Sequence, residues 1–122
     1  MLVLALLLGG CSTSDTPAKP AGGRDALAGA DLSRASQAQA AEIADGKATA
    51  IEYEAAFQRY RTCMRAAGFE LENVKREGDR YEFGVPAAAV ENSDADTECY
   101  DREFTFTDVL WQTSTTQGSP LR

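Results

Sequence analysis

The sequence contains no histidine, one tryptophan and only three cysteines among 122 residues. Without histidine, the chain can supply neither a Cys/His zinc site nor an imidazole that activates a serine or cysteine nucleophile. It also has no glycine-rich phosphate loop and no Gly-x-Ser-x-Gly motif. These absences remove the commonest routes to a catalytic or cofactor-binding site, and we expect no cofactor and no metal.

Positive charge is scarce as well. The chain has 12 Lys and Arg residues against 19 Asp and Glu residues, which gives a formal net charge of -7. Such a balance opposes binding to the phosphate backbone of a nucleic acid. The length leaves room for one domain with one modest core. We therefore expect a small acidic domain with no nucleic-acid partner.

Long apolar runs are lacking too, because the apolar stretch Leu2–Leu8 is far shorter than the ~20 residues that span a bilayer. It has the length of a signal-peptide core, and small residues follow it, as a peptidase requires. The segment "LGGC", ending at Cys11, resembles the lipobox of bacterial lipoproteins. The resemblance implies that residues 1–10 are a signal peptide and that Cys11 becomes the lipidated N-terminus, anchored to the cell membrane outside the cytoplasm.

One feature departs from the lipoprotein pattern, since no Lys or Arg precedes the apolar run. In the alternative interpretation, residues 1–10 form the buried first element of a cytosolic fold and Cys11 is a core thiol. The segment that follows, rich in Ser, Thr, Pro, Gly and Ala, favours the leader, because such a composition cannot bury enough surface to order itself. We therefore divide the chain into a leader (1–10), a lipidated Cys and flexible linker (11–30), a folded domain (31–112) and a disordered tail (113–122).

Two helices are predicted at the start of the folded domain. The stronger covers about residues 49–67, where apolar side chains recur every three or four positions, Thr49 and Glu52 fit a capping box, and Gly68 follows the last periodic residue. A weaker, Ala/Gln-rich pattern predicts a helix near residues 33–44.

The pattern then changes to alternation, which predicts a β-hairpin over about residues 69–85 with a glycine turn. Tyr81, Phe83 and Val85 should lie on its buried face, opposite Arg80 and Glu82. A final helix is expected after Ser93, and the β-branched Thr105 and Thr107 favour a break within it. The fold class is therefore α+β, with the order α-α-β-β-α and helices packed on the hairpin.

Cys63 and Cys99 fall on different helices that flank the hairpin, and outside the cytoplasm such a pair is best interpreted as a disulfide. The alternative, a catalytic or redox thiol, lacks an activating histidine and a Cys-x-x-Cys motif. We expect one disulfide, which leaves Cys11 outside the pairing.

The segments "DGKATAIEYEAAF" and "YRTCMRAAGF" resemble small secreted proteins and lipoproteins of actinobacteria. This resemblance implies an exported, disulfide-bonded domain and no established activity.

The segment "ADGKATAIEYE" also looks like the second half of an EF-hand loop, with Asp45, Thr49 and Glu52 at ligand positions. Ala41 and Ile43 stand where the loop should begin with carboxylates, so a capping box explains the segment better.

We infer from these features a membrane-tethered, non-enzymatic binding or interaction module of the cell envelope, whose partner is a protein or a glycan. Tyr100, Phe104 and Trp111 form an aromatic stripe on the final helix and are the candidate binding surface. The alternative for these residues is that the stripe belongs to the core, as aromatic stripes at helical spacing more often do. The alternative is a small cell-wall hydrolase that uses paired carboxylates. A cleft with two convergent carboxylates would favour the hydrolase, and an exposed aromatic surface would favour the binding module.

Overall fold

The computed structural model describes residues 26–117 of the chain. A 3-10 helix, Leu32–Arg34, comes first, and the helices and strands that follow are α1 Gln37–Ile43, α2 Ala50–Ala66, β1 Glu72–Glu77, β2 Arg80–Gly84, α3 Ala87–Glu91, α4 Ala95–Glu103 and α5 Thr105–Gln117. The two strands form an antiparallel hairpin, and the predicted α+β class is confirmed.

Helix α2 begins and ends where its local signals predict. The side chain of Thr49 accepts a hydrogen bond from the backbone of Glu52, and the side chain of Glu52 accepts one from the backbone of Thr49. At the other end Gly68 has φ 94°, and the amide of Phe69 donates to the carbonyl of Met64 at 2.9 Å. These are a capping box and a Schellman motif, so both ends of α2 satisfy their free backbone groups locally.

The first predicted helix is shorter than expected. The backbone is extended at Ala35 and Ser36, which separates the 3-10 turn from α1. Ser36 caps α1 by accepting from the amide of Gln39, while its own amide donates to the carbonyl of Arg102 at 2.8 Å. The interruption therefore ties the start of α1 to the end of α4.

The hairpin has the predicted faces but a later start. Tyr81, Phe83 and Val85 are half-buried against the core, whereas Arg80 and Glu82 are exposed. The predicted start at about residue 69 is wrong, because β1 begins at Glu72. Phe69 closes the Schellman motif of α2, and Leu71 is buried in the link between α2 and β1. The final helix is also divided, into α4 and α5, and α3 replaces what looks in the sequence like a plain alanine run.

Gln39 holds the break between α4 and α5. Its side chain is 0% exposed, and its Nε2 donates to the carbonyls of Asp101 and Arg102 at 2.8 and 2.7 Å. Its Oε1 accepts from the amides of Phe106 and Thr107 at 2.8 and 3.2 Å. One amide side chain thus satisfies backbone groups at the end of one helix and the beginning of the next.

The core consists of two adjoining clusters. The larger joins α2, the hairpin, α3 and α4, and its buried members are Tyr53, Ala56, Phe57, Tyr60, Met64, Leu71, Ala89, Cys99 and Phe104. The smaller joins the N-terminal part of the described chain to α5 through Leu27, Ile43, Ala48, Phe106 and Leu110. Trp111 packs against both clusters.

The predicted domain boundaries shift at both ends. Leu27 is 9% exposed and belongs to the smaller cluster, so the folded domain includes residues upstream of 31. Helix α5 runs to Gln117, so residues 113–117 of the expected disordered tail are helical.

Residues 1–25 and 118–122 lie outside the described residues, and with them the predicted leader, the lipidation site and the end of the tail. None of the helices between residues 26 and 117 combines the length and the apolar character that a bilayer span requires.

Candidate functional site

The predicted disulfide is present and joins α2 to α4. The sulfur atoms of Cys63 and Cys99 are 2.05 Å apart and the Cα atoms 5.7 Å apart, within the range that a disulfide bridges. Cys99 is 4% exposed in the larger core cluster, whereas Cys63 is half-buried. The bond therefore closes a covalent loop around the hairpin and leaves Cys11 as the one cysteine outside it.

The predicted aromatic binding surface does not form as one exposed stripe. Phe104 is 1% exposed and packs in the core, with its ring centroid 5.6 Å from that of Phe57 and 5.7 Å from that of Tyr60. It is not available to a partner. The helical spacing of Phe104 with the other aromatic residues in the sequence therefore marks a buried helix face and not a recognition surface.

The other two members of that stripe are half-buried and engaged inside the protein. The hydroxyl of Tyr100 donates to Asp108 at 3.1 Å, and burial raises the pKa of Tyr100 above its usual value. Trp111 stacks on Tyr53 at 5.5 Å and donates from Nε1 to the carbonyl of Asp79 at 2.8 Å. Both side chains fasten α5 to other parts of the fold.

A charged cluster lies where α1, α2 and the α4–α5 junction meet. Arg59 donates both terminal nitrogens to Glu42, at 2.8 and 2.6 Å, and its Nε to Glu103 at 3.4 Å. Thr107 also donates to Glu42, at 2.9 Å. The hydrogen bonds from Arg59 to Glu42 raise the pKa of Arg59, so the guanidinium stays charged and joins three helices.

Beside this cluster, a shallow groove of about 470 Å³ runs between α2 and α4. Its apolar lining consists of the half-buried Cys63 and the exposed Ala66. The other lining side chains carry hydrogen-bonding groups. Among them Arg102 is exposed and makes no ion pair within residues 26–117. The lining residues are Gln58, Arg59, Thr62, Cys63, Ala66, Arg102 and Glu103.

A second groove of about 440 Å³ is lined by both cysteines of the disulfide, and it shares Cys63, Ala66 and Arg102 with the first. Two carboxylates, Asp94 and Glu98, also line it, four residues apart at the start of α4. The two grooves therefore form one concave surface centred on the disulfide, which we call the disulfide surface. Its lining includes two guanidinium groups, three carboxylates and small apolar side chains, and Arg102 is the guanidinium that makes no ion pair with another described residue.

A buried carboxylate lies away from that surface. Asp108 is 7% exposed and accepts hydrogen bonds from Tyr100 and from Gln112, the latter at 2.8 Å. Burial outweighs these bonds and raises the pKa of Asp108. Because Asp108 is enclosed by its partners and lines neither groove of the disulfide surface, it serves the fold instead of a substrate.

Sequence reasoning found the cysteines of this surface but missed its other members. Thr62 and Arg102 belong to no motif and sit on the polar sides of their helices, where nothing in the sequence distinguishes them from solvent-facing residues. In the described part of the chain no three His, Cys, Asp or Glu residues come together as metal ligands. The half EF-hand pattern is accounted for by the capping box of Thr49 and Glu52.

Comparison with known proteins adds no relative. No family model matches the chain, and no curated protein or solved structure is significantly similar to it.

Proposed function

We propose that this protein is a lipid-anchored, extracytoplasmic binding module without catalytic activity. The observation that carries the proposal is the distribution of its three cysteines. Two are joined in a disulfide that links α2 to α4, and the third, Cys11, follows an apolar run and two glycines. A structural disulfide is typical of proteins that fold outside the cytoplasm, and a lipid thioether gives the odd cysteine a role.

The anchor is tested by the intact mass of the membrane-extracted protein. We expect a chain that begins at Cys11 and carries a diacylglyceryl group. Cys11→Ala should abolish the modification and release the protein from the membrane fraction or leave the leader attached, whereas the neighbouring Ser12→Ala should change neither. A soluble, unmodified wild-type chain that retains residues 1–10 would contradict the proposal.

We propose the disulfide surface as the place where the module binds its partner, an envelope protein or a glycan. Both of its grooves are lined by Cys63, and the exposed Arg102 is shared by both. A surface braced by a disulfide keeps its shape when a ligand binds, which lowers the entropic cost of association. The aromatic stripe, in contrast, makes its contacts within the protein, because Phe104 is buried in the core and Tyr100 and Trp111 hold α5 against the rest of the fold.

The matched substitutions for this surface are Arg102→Ala and Arg65→Ala. Both residues lie on exposed helix faces, but Arg65 is outside the grooves and pairs with Glu70 at 2.8 Å. The backbone carbonyl of Arg102, which Gln39 uses, is unchanged by the substitution. A charge-assisted hydrogen bond contributes ~1.5–3 kcal/mol, so we expect Arg102→Ala to weaken binding of the envelope partner roughly tenfold or more.

The binding assay is affinity capture on the lipidated protein from its own envelope, followed by titration of the recovered partner against each variant. Equal affinity of wild type, Arg102→Ala and Arg65→Ala would remove the disulfide surface from the proposal. It would leave the lipid anchor, which the mass measurement tests separately.

One observation favours the hydrolase as a second candidate, because Asp94 and Glu98 line the same groove. Residues four apart on a helix lie on one wall, with Cβ atoms about 5–6 Å apart. A glycosidase pair instead flanks the scissile bond from both sides, and this arrangement supports the binding module better. Release of soluble fragments from cell-wall glycan by wild type, abolished in both Asp94→Asn and Glu98→Gln, would establish the hydrolase.

A further inference from the structure

A third concave surface lies at the N-terminal side of the described chain, away from the disulfide. It has a volume of about 370 Å³ and is lined by Leu27, Leu32, Ala40, Ile43, Ala44 and Gly46, with no charged side chain among them. Leu32, 43% exposed, is the most accessible large side chain of the lining. We call this feature the N-terminal groove. It shares no residue with the disulfide surface, so the two can be occupied at the same time.

The position of the groove along the chain relates it to the membrane anchor. Leu27 is the second residue that the structure describes, and 14 residues, 12–25, separate Ala26 from Cys11. A chain of 14 residues reaches at most about 50 Å when fully extended, and it spans about 20 Å on average if it is the flexible linker that its composition predicts. The groove therefore lies beside the point where the described domain begins, and a lipid on Cys11 would bring this face within reach of the bilayer.

The lining of the N-terminal groove suits a lipid surface better than the protein's net charge does. The whole chain carries a net charge of -7, which opposes contact with a membrane. None of the six lining residues is charged, and of the exposed residues that neighbour them in the chain, Arg34 is paired with Asp101 at 3.1 Å. A contact through this face would therefore be made by apolar side chains.

We propose that the N-terminal groove docks on the surface of the bilayer that holds the lipid anchor, with Leu32 inserted among the lipid headgroups and acyl chains. This inference rests on the proposed lipidation of Cys11. The short tether supplies a high local concentration of bilayer, so that a small apolar contact suffices. Docking would orient the domain on the membrane and leave the disulfide surface free for a partner.

The test uses a fluorescent reporter at one engineered cysteine in the full lipidated protein. Cys63 and Cys99 are joined in a disulfide and Cys11 is blocked by lipid, so Leu32→Cys provides a single reactive thiol. The matched control is Val90→Cys on α3, because Val90 is 58% exposed and lies outside the groove. Each protein is labelled with an environment-sensitive dye and reconstituted in phosphatidylcholine vesicles that contain a spin-labelled quencher lipid.

We expect a blue-shifted emission for the label at position 32 and at least about twofold stronger quenching than at position 90, because a docked apolar residue sits ~5–10 Å into the interface. Equal emission and equal quenching at both positions would overturn the proposal. So would an emission at position 32 that does not change when vesicles are added, and a dependence of that emission on protein concentration would show that the groove holds a second copy instead.

The same samples separate this inference from the proposal on which it rests. Intact mass is measured on each labelled protein before reconstitution. A chain without lipid contradicts the lipoprotein assignment, whereas a lipidated chain with equal quenching at both positions contradicts docking alone. A thermal unfolding midpoint equal to that of the unlabelled protein shows that the label at position 32 leaves the domain folded.

Discussion

Replacing Gln39 tests the central polar connection of the fold. Gln39→Leu keeps a side chain of similar length but removes all four hydrogen bonds to the α4–α5 junction. The amides of Phe106 and Thr107, in the first turn of α5, then lose their partner. A buried backbone group without a partner costs ~1–3 kcal/mol, so two such groups predict a loss of about 3 kcal/mol in the free energy of unfolding.

Urea denaturation measures this loss, and Trp111 is the natural reporter because it is the one tryptophan and is half-buried against Tyr53. The control is Gln37→Leu, an exposed glutamine two residues away on the same helix. We expect the control to stay within about 0.5 kcal/mol of wild type, as surface substitutions usually do. A Gln39→Leu protein as stable as the control would refute the claim that this side chain holds the helix break.

Two further predictions concern the disulfide and a buried carboxyl group. Replacing Cys63 and Cys99 together by serine should cost about 4 kcal/mol, the chain-entropy value for a loop of 36 residues, and calorimetry should show a Tm lower by many degrees. Burial raises the folded-state pKa of Asp108, so the folded protein binds a proton at this carboxyl group more readily than the unfolded chain does. The free energy of unfolding should therefore gain from Asp108 as the pH falls from neutral toward the ordinary aspartate pKa. Asp108→Asn should lose that increase, and an unchanged pH profile in urea denaturation would contradict the assignment.

The elements that could be predicted from the sequence are those whose ends are set locally. Helix α2 carries its own signals in Thr49, Glu52 and Gly68, and each acts within five residues of the group that it satisfies. The hairpin alternates in the same local way. The disulfide followed from counting cysteines and from placing two of them on opposite sides of the hairpin.

The division between α4 and α5 could not be predicted with the same certainty, because its cause is distant. Two carbonyls before the break at Phe104 and two amides after it form hydrogen bonds with the side chain of Gln39, which lies more than 60 positions earlier in the chain. No local pattern marks Gln39 as different from Gln37. Helix α3 was missed for another reason, since a run of alanines between Pro86 and Val90 has no periodicity that separates it from a loop.

The aromatic stripe shows a limit of periodicity itself. Regular spacing places Tyr100, Phe104 and Trp111 near one another, but it does not say whether solvent or another element covers them. Here Phe104 is covered by the core, and Trp111 is fastened to Tyr53 and to the hairpin turn. The disulfide surface could not be predicted, because its polar residues have the same spacing as those of any solvent-exposed helix face.

The disulfide also determines how the protein responds to a protease. The hairpin turn around Gly78 and Asp79 is exposed, and it lies between Cys63 and Cys99 in the chain. A cut there opens the backbone but leaves both fragments covalently joined through α2 and α4. A nicked molecule therefore keeps its mass on a non-reducing gel and separates into two pieces only when a reductant is added.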